Sequence, residues 1–417
     1  MESGQSIKDK ELYTLPPNLK TLIIKQNAHF NTELVESLPK TLESLTLSNS
    51  HFTYGMLSKM PNSMKSIELY GCYPNKENGQ KFSEVKFPEK IEEIFLTNCS
   101  WLEGLFPCSV LPPNLRVLNL DNTNITGFDG KLPSSLRVLT MRLVRDLDCD
   151  SVMSNLPNNL ESLYAPGLQF DPNKSYNFPL NLRILDVGNA RDTSNIPFSS
   201  LHEKLQKLKL TVNLNNYKVE MLQSLPKTVT SLSISICGNL ESIIFLFYYW
   251  FLVVFIYLFF SDTNLPLFIK NIPPQVKHVT VNGVELKNED FFHFPNTIES
   301  LKLSEAAYDW GWGSNTARDL SLLPGSIISL TLKSPNDSSF QNGLPPNIRK
   351  LKLITVNHFL GRRRRRYGYN RSSLGDHFYN AISVLSCLDT LELVNYNGGS
   401  KIYSHLPPNT RLIYVSK

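Results

Sequence analysis

A ten-residue phrase, L-P-x-x-L-x-x-L-x-L, recurs sixteen times along the chain, and no other feature restricts the fold as much. It begins at Leu15 (LPPNLKTLII) and returns at Leu38 (LPKTLESLTL), Met60, Phe87, Leu111, Leu132, Leu156 and Phe178. Further copies start at Leu201, Leu225, Ile272, Phe294, Leu323, Leu344, Val384 and Leu406. Most starts lie 21 to 24 residues apart, and proline is missing only from the copies at Leu201 and Val384. The closing L-x-L has period two, so both apolar residues point to one face of a strand. One such strand cannot bury that face alone. Copies stacked side by side join their faces into a continuous core, which makes a solenoid. The Leu-Pro sets an extended turn ahead of each strand, because Pro restricts its own φ and its predecessor. Placed there, its missing N–H stays outside the ladder.

This pattern resembles the leucine-rich repeat, whose length range includes the period found here. The resemblance implies an α/β-type repeat solenoid. Such a chain forms a horseshoe or arc, with a parallel β-sheet on the concave face and mostly irregular or short helical segments on the convex face. It also implies Asn or Cys three residues beyond the last apolar residue of each strand. That slot holds Asn27, Cys72, Cys99, Asn213 and Cys237, with Ser50 and Thr123 as substitutes. Three of the six cysteines are thus expected to be inward-facing ladder residues. The stretch FNTELVESLPKTLESLTL, Phe30 to Leu47, is similar to the FNIP-type repeat of amoebal leucine-rich proteins, which begins Phe-Asn and ends L-P-x-x-L. Asn195-Ile196-Pro197 is a second echo. Bacterial LPX-type effectors share the L-P-x-x-L portion with a shorter repeat, so the period favours the amoebal type.

Read this way, the chain has an N-terminal tail (1–14), repeats 1–10 (15–239), a hydrophobic insertion (240–263) and repeats 11–16 (264–417) with an Arg-rich loop (361–373). The insertion contains IIFLFYYWFLVVFIYLFF, Ile243 to Phe260, without one charge. Length alone reads as a transmembrane helix. Yet the run separates two repeats that should stack, and removing about 24 residues there restores the normal period. No Lys or Arg lies within nine residues of it, so the positive-inside rule assigns no orientation. Its Phe, Tyr, Ile, Leu and Val vocabulary is also what A/T-rich non-coding DNA would encode. Three readings stay open: a single membrane anchor, residues missing from the mature protein, or a loop folded over the stack.

The net charge is +5, and Arg362 to Arg366 supply five positives, so the remainder is near neutral. Nothing in that balance demands a nucleic-acid partner; the Arg run is a weak route to one. The N-terminus MESGQSIKDKELYT has no apolar segment, so a secretory signal is not expected. With no C-x-x-C spacing among the cysteines, the reading is a cytoplasmic protein with free thiols. No phosphate loop, H-E-x-x-H or G-x-S-x-G occurs. Catalytic residues, cofactors, metals and a small-molecule substrate are therefore not expected. The YDWGWG loop, Tyr308 to Gly313, is expected to fold back on the stack, with partner binding as the alternative.

Two rows of residues are displayed. The sixth motif position reads Lys20, Glu43, Lys65, Glu92, Arg116, Arg137, Glu161, Arg183 and later Lys277, Glu299, Arg349, Asp389, Arg411. It should face water, and its first five members alternate in sign, as a ladder of ion pairs would. The ninth position, between the last two core residues, is mixed and rich in Ser and Thr. Aromatic side chains concentrate partner-binding energy. Tyr70, Phe95, Tyr164 and neighbouring Asn119 and Asp186 are therefore the expected contact patch for a protein partner on the concave face. The function implied is a non-catalytic scaffold for protein–protein interaction. The alternative is a leucine-rich-repeat protein held in a membrane, single-pass, by residues 243–260.

Overall fold

The computed structural model describes residues 15–25, 29–75, 79–188, 195–212, 219–236, 264–282, 286–304, 318–333, 335, 337–355, 374–396 and 400–415. It divides into a first unit, Met1–Lys207, and a second, Leu208–Lys417. Four features of the sequence lie outside the described residues: the tail 1–14, Ile243 to Phe260, the YDWGWG loop and Arg362 to Arg366. So do the ladder positions Asn27, Asn213 and Cys237.

In the first unit each repeat delivers one strand: β1 Thr21–Lys25, β2 Ser44–Ser48, β3 Ser66–Tyr70, β4 Glu93–Thr97, β5 Val117–Asn119, β6 Val138–Thr140, β7 Ser162–Tyr164 and β8 Ile184–Asp186. Each pairs in parallel with the next, and the motif sets the register. Leu22, Leu45, Ile67, Ile94, Leu118, Leu139, Leu163 and Leu185 form one unbroken row. A slip of one residue would turn every core side chain outward, so the buried face fixes this register.

The second unit repeats the arrangement with β9 Lys207–Val212 (all but Lys207), β10 Ser231–Ile236, β11 His278–Asn282, β12 Ser300–Ser304, β13 Ser329–Lys333, β14 Lys350–Ile354, β15 Thr390–Val394 and β16 Arg411–Val415. From β10 onward each strand pairs in parallel with its successor. The last pair departs from the motif by one residue. Leu412 stands opposite Leu391 and Tyr414 opposite Leu393, where the phrase places Ile413 and Val415. The reason is local. Leu412 to Val415 are apolar or aromatic throughout, so either register offers apolar groups to the core. Thr410 also replaces the usual fifth-position Leu and donates its hydroxyl to the Leu388 carbonyl at 2.7 Å.

The turn ahead of each strand has one geometry. The proline carbonyl accepts the N–H of the residue three further on, as in Leu42 to Pro39 at 3.0 Å and Leu160 to Pro157 at 3.1 Å. The two coils without Pro close the same turn, Leu205 to His202 at 3.0 Å and Leu388 to Leu385 at 3.1 Å. Proline thus presets the turn, and the i-to-i+3 bond makes it. The motif's apolar positions are buried, with Leu42, Leu45, Leu47, Ile67, Leu69, Ile94 and Leu96 all at 0% exposure.

The return path of each coil uses short helices, among them Thr32–Glu36, Tyr54–Ser58, Cys149–Asn155 and Asp376–Ser383, and single 3-10 turns such as Phe82–Glu84. It also holds short parallel strands that the sequence reading did not anticipate. His29–Phe30, His51–Thr53 and Tyr73–Asn75 form one set, and Glu103–Phe106 with Asn124–Phe128 another. Between return path and repeat strands runs an aromatic seam. Phe82 meets Trp101 at 5.2 Å and Phe106 at 5.7 Å, and Phe106 meets Phe128 at 6.3 Å, all edge-on.

Candidate interaction surface on the strand face

Several coils leave their strand through one or two specialised residues. Two positions beyond the last core residue, Asn49, Asn98, Asn122, Leu143, Asn395 and Gly71 have φ between 48° and 60°. This left-handed turn explains the Asn and Gly, which tolerate it best. One position further, the chain turns a polar side chain inward. Cys72 Sγ donates to the Leu47 carbonyl of the preceding coil at 3.2 Å, and Cys99 Sγ to that of Leu69 at 3.4 Å. Ser50 and Thr123 occupy the same slot, buried, but bond within their own coil, to Ser48 at 3.0 Å and Leu120 at 2.8 Å. Burial raises the Cys72 thiol and pushes Cys99 up to about 12, so both stay protonated donors. One parallel strand per coil, with an inward thiol tied to the coil before, settles the architecture. The fold is a leucine-rich-repeat solenoid.

The sixth-position row faces water as expected and forms ion pairs. Glu43 takes Lys20 at 3.2 Å and Lys65 at 2.7 Å. Glu92 pairs with Arg116 at 3.6 Å, Glu161 with Arg137 at 3.6 Å and Glu299 with Lys277 at 3.3 Å. The Lys65 hydrogen bond, seconded by Lys20, holds the Glu43 carboxyl below its ordinary value.

The outward side of the strands in the first unit carries the expected contact residues. Register places Glu68, Phe95, Asn119, Thr140, Tyr164 and Asp186 in one row over β3 to β8. Phe95, Asn119, Tyr164 and Asp186 are therefore neighbours or next neighbours in space. Tyr70 lies one pleat along, opposite Thr97, and is 42% exposed. Thr97 in turn donates its hydroxyl to Asn119 Oδ1 at 3.3 Å. Phe95, Asn119 and Tyr164 are half-buried, whereas Asp186 is 9% exposed and its Oδ1 accepts the Gly188 N–H at 3.3 Å. The sequence reading missed two members. The Arg142 guanidinium lies 4.3 Å over the Tyr164 ring, and it stands 3.9 Å from Asp121. Asp121 Oδ1 also accepts the Arg142 backbone N–H at 2.7 Å. Both occupy the eleventh motif position, which faces the same way as the ninth; period two would have found them.

Two cavities lie among the described residues. A cavity of 30 Å³ beside Leu303, Ser304, Leu332 and Lys333 has room for about one water, far below a ligand pocket. An open groove of 330 Å³ runs between Lys65, Lys90, Arg116, Arg137 and Glu92, where the sixth-position pairs already engage most of the charge. Among the described residues, no group of three or more His, Cys, Asp or Glu could hold a metal ion. Among them also, no helix is long and apolar enough to cross a membrane.

No protein-family model matches the sequence, and no curated protein does. Solved structures align with it. The circular LRR protein CroV588 is 14% identical over 98% of this chain and 57% of its own, with a TM-score of 0.42. TLR13, solved in a complex with ssRNA13, is 17% identical over 91% of this chain and 43% of its own, with a TM-score of 0.39. An internalin (inlF) from Listeria monocytogenes is 12% identical over 99% and 83%, with a TM-score of 0.25. The chain thus spans 57% of the first of these proteins and 43% of the second.

Proposed function

We propose that this protein is a non-catalytic scaffold that binds another protein on the outward strand face of its first unit. Tyr70, Phe95, Asn119, Tyr164 and Asp186 form the contact, with Arg142 and Asp121 completing it. One observation carries the reading: aromatic rings and hydrogen-bonding groups share a single row over successive strands, and Arg142 caps the Tyr164 ring. Such a surface offers rigid, amphipathic anchors at low entropic cost, which is where interface energy concentrates. An Arg over an aromatic ring contributes about 0.5–1 kcal/mol at an exposed site and holds the ring in one orientation. A row of side chains spread over successive strands suits a macromolecular partner better than a small substrate.

We further place the protein in the cytoplasm, as an FNIP-like repeat protein. Cys72 and Cys99 serve as thiol donors between coils, a role that oxidation would end.

The test is affinity capture from native cells at native salt, comparing the wild-type chain with Phe95→Ala/Tyr164→Ala. Tyr73→Ala, on the return path and 51% exposed, is the control. The proposal expects at least one protein retained by wild type and control and lost from the double variant. A partner set identical for all three chains rejects the mapped surface.

A further inference from the structure

The outward strand face of the second unit has a different chemistry, and it points to a second kind of partner. Over β10 to β14 the outward positions are serine, threonine and lysine, interrupted only by His278, Asn282 and Ile354. Apart from the His278 imidazole they include no aromatic ring, and they include no arginine and no carboxylate. Four lysines gather on three adjacent strands: Lys302 on β12, Lys333 on β13, and Lys350 and Lys352 on β14. The carboxylate facing them among the described residues is that of Glu392 on β15, which takes Lys352 at 2.6 Å. Among the described residues the ammonium groups of Lys302, Lys333 and Lys350 have no ion pair. Lys302 and Lys350 are exposed and Lys333 is half-buried.

Cations gathered on neighbouring strands repel one another and cost stability. The sixth-position row shows how this chain treats charge elsewhere, pairing it coil by coil. An uncompensated lysine cluster amid hydroxyl groups is suited to an anion that comes from outside. Neighbouring strands lie about 4.8 Å apart and residues two apart on a strand about 6.7 Å. Lys333 therefore stands one strand and two residues from Lys302, and Lys350 two strands over and two residues the other way, so the cluster spreads separate point charges across three strands.

We infer that the second unit's strand face docks an acidic segment of a partner protein, whose carboxylates meet Lys302, Lys333 and Lys350. Surrounding Ser and Thr hydroxyls hydrogen-bond to the segment. Single-stranded nucleic acid fits less well, since it is held by stacking on successive aromatic rings and by planar Arg forks, and over β10 to β14 this face offers one imidazole, His278, and no Arg. This surface is separate from the first unit's aromatic row, which bears Glu68, Asp121 and Asp186 and would repel the same ligand.

The experiment measures fluorescence anisotropy of a labelled alternating Glu-Ser peptide with the full chain, at low and at physiological ionic strength. Binding weakens with salt. Lys302→Ala/Lys333→Ala/Lys350→Ala lowers affinity by about tenfold, and the matching triple change to Arg retains it. Glu392→Gln releases Lys352 and tightens binding, a gain that no folding defect would imitate. Lys20→Ala/Lys65→Ala in the first unit leaves affinity unchanged. Four results would each overturn the inference. These are wild-type affinity in the triple alanine variant, equal loss in the first-unit control, and tighter binding of a single-stranded RNA of matched charge. The fourth is self-association of the chain that the same alanine changes abolish, which would assign the face to a second copy.

Discussion

Single residues decide how each coil closes. Leu143 stands where its counterparts are Asn or Gly, with φ of 59° and 68% of its surface exposed. Its Cβ crowds the following carbonyl oxygen at a cost of about 1–2 kcal/mol, and its side chain buries little in return. Leu143→Asn is expected to stabilise the chain by about 1 kcal/mol, read as a higher urea midpoint; an unchanged or lower midpoint would contradict the strain. Cys99 gives a pH signature. Its folded pKa of about 12 lies above the ordinary value of 9.0 because burial disfavours the thiolate. The neutral thiol's contribution is complete below pH 9 and is lost as pH rises from there toward 12. The slope is on the order of 1.4 kcal/mol per pH unit. Cys99→Ser should flatten the alkaline fall of the urea midpoint, and an identical slope would show that Cys99 does not set it. Cys72, Cys99, Ser50 and Thr123 were placed by what the resemblance to the leucine-rich repeat implies, applied to the spacing of the motif. The left-handed residue just before them was not read, although Asn recurs there, because a positive φ has no apolar period to announce it.

At the scale of the coil, the strand, its turn and its sixth-position charge form one unit. Leu96 is a closing core residue with no exposed surface, so Leu96→Ala is expected to cost about 3 kcal/mol by chemical denaturation, a loss above the effect of any single ion pair. Glu43 is held low first by its hydrogen bond to Lys65 and then by Lys20. Its depressed pKa means a contribution present above the ordinary carboxylate pKa and lost as pH falls through the folded value. A carboxyl NMR titration should find Glu43 below its usual range in the wild type and returned toward it in Lys65→Ala; coincident curves would show that the pair does not persist. Period-two apolar residues made strands and register readable because register decides which face is buried. The last strand pairs one residue out of the motif's register because Leu412-Ile413-Tyr414-Val415 carries no alternation, while Tyr414 stays 40% exposed as its ninth position predicts. The short strands of the return path have no repeated phrase. Their pairing follows from the stacking of coils rather than from local pattern.

At the scale of the molecule, the two units present unlike outward faces on the same scaffold. The first carries rings and carboxylates in a row, the second lysine and hydroxyl groups. The contact row could be read from the sequence because each ninth position follows directly from the motif. Arg142 over Tyr164 and the lysine cluster could not, since both depend on which residues become neighbours across strands. The central claim is that binding occurs on the outward strand face, and oxidative footprinting of the full chain with and without its captured partner tests it most directly. Phe95, Tyr164 and Tyr70 should become protected, while Tyr73 on the return path keeps its reactivity. Protection at Tyr73 with Phe95 and Tyr164 unchanged would contradict the account.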